Sequence, residues 1–92
     1  MTDPRIHEAI PIAERIVPLA PDPTRSDALH RSCVVVGVVY EAAYPRPTVN
    51  DLAAAFRMKR SNVVYRLQAW RNLNWEERNG WMTLFRFNWR RA

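Results

Sequence analysis

The chain has 92 residues, 48% of them hydrophobic, enough for one domain that buries roughly 60 to 65% of its unfolded surface, and too few for a deep enzymatic cleft. Four Trp, three Tyr and three Phe offset seven prolines and exclude a disordered chain. A formal charge of +5 and a pI near 10.3 point to an anionic partner, and with no apolar run approaching the ~18 residues of a membrane span, a cytoplasmic protein is expected.

Residues 1–23 hold Pro4, Pro11, Pro18, Pro21 and Pro23, so a helix here is short or kinked. Acids and prolines before Leu19 also interrupt the apolar core that a signal peptide needs. Ile6, Ile10, Ala13, Ile16 and Val17 still recur at helical spacing. The segment reads as a proline-rich arm packing on its own domain or on a second subunit, or else as a loose tail. The domain proper is expected over 24–92.

Thr24 or Ser26 is a good N-cap, and Asp27 suits the positive end of a helix dipole. Leu29, Cys33, Val36, Tyr40 and Ala43 then share a helical face, although the valine-rich run Val34–Val36 and Val38–Val39 also suits a buried strand. About 17 patterned residues from Asp27 to Ala43 exceed the usual strand, so a helix is predicted, buried on more than one side. Cys33 is the only cysteine and can form no internal disulfide. His7 and His30 have no cysteine at ligand spacing, so no metal and no cofactor is expected.

Pro47 stops that helix, and Thr48 with Asp51 three residues on makes a capping-box-like start to a helix through Phe56. A second helix is predicted from about Arg60 to Leu73 with Val63, Leu67 and Trp70 inward. Trp75 to Arg78, then Asn79-Gly80, then Trp81 to Phe87 read as a β-hairpin, because Asn-Gly supplies the positive φ angles of a tight turn. Both faces of such a hairpin are apolar, which suggests an oligomer.

Leu52-Ala53, Phe56, Met58, the small polar run before Val63, and Leu67 resemble the winged helix-turn-helix regulators in the broad MarR-like sense. Thr48–Leu73 carries the likeness, and the hairpin at 75–87 would be the wing. Two positions depart from the pattern: Arg57 stands where such turns often have Gly, and Lys59 stands where Ser or Thr usually caps the recognition helix. The resemblance implies a mainly α fold with a small β-hairpin, and a transcriptional regulator, in kind a compact bacterial or phage repressor, that reads double-stranded DNA as a homodimer.

Carried over to these positions, it turns Lys59, Arg60, Ser61, Asn62, Tyr65 and Arg66 toward DNA, with Arg66 foremost. Arginine forks match guanine edges and Asn matches adenine. Arg46 before the first of the two helices, Arg78 on the wing, and Arg86, Arg90 and Arg91 beyond it would neutralise flanking phosphates. Each has an ordinary alternative: a solvated charge for Lys59 and Arg60, a surface or dimer contact for Tyr65, a local cap for Asn62. Trp70 and Trp75 are expected in a core or interface rather than stacked on bases.

The charge is uneven, since residues 1–43 carry four arginines against six acids while residues 44–92 carry ten basic residues against three acids. Thirteen of the fourteen basic residues are Arg, which suits phosphate and guanine recognition, although a GC-rich genome gives the same bias. No catalytic Ser/His/Asp set or Gly-rich phosphate loop is visible, so an enzyme is not expected. The rival readings are a winged helix that binds protein through its hairpin and Val-rich helix, and a nucleoid-like binder without sequence preference. A homodimer would form through the arm, the Val-rich helix or the hairpin.

Overall fold

The computed structural model describes residues 4–17, 28–43 and 45–91. Among these residues every regular element is a helix: α1 (Pro4–Ile16), α2 (Ala28–Ala42), α3 (Val49–Phe56), α4 (Arg60–Asn72) and α5 (Trp75–Arg91). The caps expected at Thr24 or Ser26, and the start of the domain at residue 24, lie outside the described residues.

α1 tolerates Pro11 because of where it falls. The missing N–H would have bonded the His7 carbonyl one turn back, and both residues are exposed, so that carbonyl meets water instead. On the opposite side Ile6, Ala9, Ala13 and Ile16 are buried, and α1 packs against α2 and α5. The apolar stripe of the arm is thus covered within the chain.

α2 is the central helix, with Cys33, Val34, Val36, Gly37, Val38 and Val39 buried. It packs on α4 most extensively, and on α1 and α5 as well. The closest approach is at Gly37, where a methyl group would overlap the Trp70 indole of α4. Trp70 is 1% exposed, so the absence of a side chain at Gly37 makes room for the largest fully buried side chain among the described residues.

Local chemistry sets the ends of α3. The Thr48 hydroxyl accepts from the Asp51 backbone N–H at 3.1 Å, and the Asp51 carboxylate accepts from the Thr48 N–H at 3.0 Å. At the other end Arg57 takes the left-handed conformation (φ 54°, ψ 47°), the position where Gly was noted as missing. Its N–H and that of Met58 bond the Ala54 and Ala53 carbonyls at 3.4 and 3.1 Å. A non-Gly residue in this conformation costs on the order of 1 kcal/mol, which the satisfied carbonyls help to offset. Lys59 precedes α4 and makes no side-chain cap.

The winged helix-turn-helix expectation fails at its wing. Trp75–Arg91 is one 17-residue helix, no described residue is in a strand, and the fold is all-helical rather than mainly α with a β-hairpin. Asn74 starts α5: its Oδ1 accepts from the Glu77 N–H at 2.8 Å and its Nδ2 donates to the Glu77 carboxylate at 3.4 Å. Asn74-x-x-Glu77 is itself a helix-start pattern, and it competed with Asn79-Gly80 for the same segment.

Burial decides that competition. A glycine inside a helix costs roughly 0.5 to 1 kcal/mol, whereas Trp81, Met82 and Phe85, all buried on one face of α5, each contribute roughly 1.5 to 3 kcal/mol. An isolated two-stranded hairpin is marginal in water and, with both faces apolar, would leave one of them bare. Gly80 accordingly has no positive φ and sits where an added methyl would meet nothing within 4 Å. Trp75, expected in a core or interface, is 67% exposed at the start of α5.

Candidate nucleic-acid interface

α3, the three-residue turn 57–59 and α4 form a helix, turn and helix in which all the charged residues after Asp51 are basic. α4 turns Val63, Leu67 and Trp70 into the core. Directly opposite, at spacings of four, three and four residues, stand Ser61, Tyr65, Gln68 and Asn72, all exposed. These positions share one helical face because a helix repeats every 3.6 residues.

The composition of this region is one-sided. Between Asp51 and Glu76 there is no acidic residue, while Arg57, Lys59, Arg60, Arg66 and Arg71 are all cationic. Lys59 and Arg60 are exposed at the N-terminal end of α4, and Val64, 39% exposed, lies beside Arg60 on the flank of the outer face. Uncharged hydrogen-bonding groups thus occupy the middle of the face, with cations toward its ends.

Of the residues singled out from the sequence, Lys59, Arg60, Ser61, Asn62 and Tyr65 are exposed together around the first two turns of α4. Arg66 is placed differently. It is half-buried, its Nε donates to the Ser32 hydroxyl of α2 at 2.6 Å, and its Nη1 donates to the Asn62 carbonyl at 3.2 Å. The guanidinium bridges α4 to α2 along the flank of α4 instead of standing on the outer face.

Arg78 is likewise not at the tip of a wing. It lies in the second turn of α5, half-buried, with Nε shielded from solvent and without a hydrogen-bond partner. Arg46 is exposed in the link between α2 and α3, its guanidinium carbon 5.0 Å from the centre of the Tyr40 ring. The same ring has Arg71 of α4 at 5.6 Å, and Arg71 Nη2 reaches the Tyr40 hydroxyl at 3.5 Å.

Gln68, Asn72, Arg71 and Tyr40 were not foreseen. The first two follow from the inward stripe already visible, since Val63, Leu67 and Trp70 define an opposite face that continues past Tyr65. Arg71 and Tyr40 meet only through the packing of α2 on α4, across 31 residues of chain.

Among the described residues no group of three or more His, Cys, Asp or Glu side chains could hold a metal ion. No described helix is long and apolar enough to cross a membrane. No protein-family model, no curated protein and no solved structure matches this chain.

Proposed function

We propose that this chain binds double-stranded DNA by laying the outer face of α4 in the major groove, and that it acts as a compact transcriptional regulator. The observation that carries the reading is the acid-free outer side of α4, with Ser61, Tyr65, Gln68 and Asn72 exposed along it and Lys59 and Arg60 at its start. A helix about 10 to 12 Å across with its side chains matches a major groove about 12 Å wide.

The side chains supply the needed chemistry. Arg60 suits guanine O6 and N7, Gln68 and Asn72 suit adenine N6 and N7, and Val64 suits a thymine methyl. Lys59 is a point charge for a phosphate. Arg66 contributes mainly by fastening α4 to α2 through Ser32, so its removal tests stability more than base reading. A second copy would present a second α4 to a half-site about one helical turn away.

Another reading rests on a separate observation: Trp75 and Phe87 of α5 are 67% and 57% exposed, a surface suited to a protein partner, including a second copy of the chain. Fluorescence anisotropy with random-sequence duplex DNA across a salt series separates the two. The DNA reading expects binding at ~50 mM salt that falls by orders of magnitude by ~200 mM, as release of counterions from several phosphates requires. It also expects Gln68→Ala to alter the sequences selected from a randomised duplex pool, with thermal stability unchanged. No binding at ~50 mM salt would defeat it and leave the protein-partner reading.

A further inference from the structure

We infer that Arg46 and Arg71, gathered on the Tyr40 ring, form a single phosphate-binding site that grips the DNA backbone at the C-terminal end of α4. The inference rests on the DNA reading above and assigns a backbone anchor that base reading by α4 does not itself supply.

Two guanidinium groups lie 5.0 and 5.6 Å from the centre of one half-buried aromatic ring. They come from different elements, Arg46 from the link before α3 and Arg71 from the last turn of α4. The negative face of a tyrosine ring attracts each cation but neutralises neither. Among the described residues, neither guanidinium contacts a partner beyond the Tyr40 ring and hydroxyl. The Asp51 carboxylate, the next acidic group along the chain after Arg46, is engaged by the Thr48 N–H at 3.0 Å. Two like charges are therefore held around one ring, no more than about 11 Å apart by the sum of their distances to its centre, and among the described residues no carboxylate contact is seen for either.

An anion with at least two acceptor oxygens satisfies both forks at once, and the two non-bridging oxygens of a phosphodiester suit arginine in this way. The position relative to α4 selects DNA backbone as the source. Arg60 and Arg71 are separated by eleven residues, three turns or about 16 Å along the helix, and so share one flank of α4 beside its uncharged outer face. A helix lying along a groove about 12 Å wide turns its two flanks to the two strands that border it. Arg60 and the Arg46–Tyr40–Arg71 group then face phosphates of the same strand, about 16 Å apart along the helix. Tyr40 is a positioning residue that holds the two cations together.

The test is a salt titration of duplex binding by fluorescence anisotropy for wild type, Arg46→Gln, Arg71→Gln, the double variant, Tyr40→Phe and Tyr40→Leu, with each fold checked by circular dichroism. Each single arginine variant is expected to reduce the slope of log affinity against log salt by about 0.9, the contribution of one phosphate. Because one phosphate is shared, the double variant is expected to lose no more slope than either single one. Tyr40→Phe keeps the ring and keeps the slope, while Tyr40→Leu loses as much as an arginine variant. All the losses should be equal for every DNA sequence.

If the wild type binds with a steep salt dependence and the arginine variants keep it, the site is refuted while the DNA reading stands. If the double variant loses twice the slope, the shared site gives way to two separate contacts. If the wild type fails to bind at ~50 mM salt, both the reading and the site fall.

Discussion

Gly37 and Trp70 show how much one position can govern. The indole occupies the space a side chain at Gly37 would need, and interiors this dense yield poorly to added volume. Gly37→Ala is expected to lower stability by roughly 1 to 3 kcal/mol, read as a fall in the urea midpoint. The intact surface of α4 should leave any DNA contact of the refolded protein unchanged. Asp51 acts through charge instead of volume. The Thr48 backbone N–H, and with it the Thr48 hydroxyl, holds its carboxyl below the ordinary value of 3.8. A folded pKa below the unfolded one stabilises the protein fully above the unfolded value, and the benefit is lost as pH falls through the folded value. Asp51→Asn should therefore melt below wild type at pH 7, and the gap should close as the pH is lowered beneath about 3.8. A gap that stays constant with pH would deny the carboxylate its role. At this scale the sequence was legible from Thr48 to Asp51, where a bond closes within three residues, but not at the equally local Asn74–Glu77 cap, where Asn79-Gly80 offered a complete competing pattern.

α5 is the element on which local rules disagreed. Asn74 and Glu77 specify a helix start, Asn79-Gly80 specifies a tight turn, and each pattern is complete in itself. The buried set Trp81, Met82 and Phe85 favours the helix because α1 and α2 supply a surface for one face only. Gly80→Ala separates the alternatives directly. In an exposed helical position the methyl raises stability by roughly 0.5 to 1 kcal/mol, a gain of several degrees in the melting temperature of a domain this size. In a hairpin turn that needs positive φ the same change lowers it. Asn74→Ala should work in the opposite sense, costing about 1 kcal/mol through loss of the cap, with thermal melts by circular dichroism as the readout. α4 illustrates a finer limit. Its period identified the inward stripe, yet Arg66 lies on the flank, and a flank is covered or open according to the neighbouring helix. Ser32 of α2 covers this one.

The whole molecule is organised around α2, which α1, α4 and α5 enclose. α1 is therefore integral to the core: Ile6, Ile12 and Ile16 are each no more than 7% exposed, and three such side chains contribute roughly 4 to 9 kcal/mol by burial. Net stabilities of domains are on the order of 5 to 15 kcal/mol. A chain lacking residues 1–17 should accordingly lose its cooperative thermal transition or aggregate through the exposed valines of α2, and a sharp melt near the wild-type temperature would show that α1 is an accessory arm. The sequence by itself determined α3 with its Thr48 cap, the extent and inward stripe of α4 and the positive charge of the C-terminal half, because these depend on bonds three or four residues long, on helical periodicity or on composition. Only the tertiary structure decided that residues 75–91 are helical, that Arg66 reaches α2, and that Tyr40 gathers Arg46 and Arg71. Burial, cation–ring contacts and cross-helix hydrogen bonds depend on what lies opposite in space, and here the opposing groups are 31 and 34 residues away for Arg71 and Arg66 and at least 59 for α5 on α1.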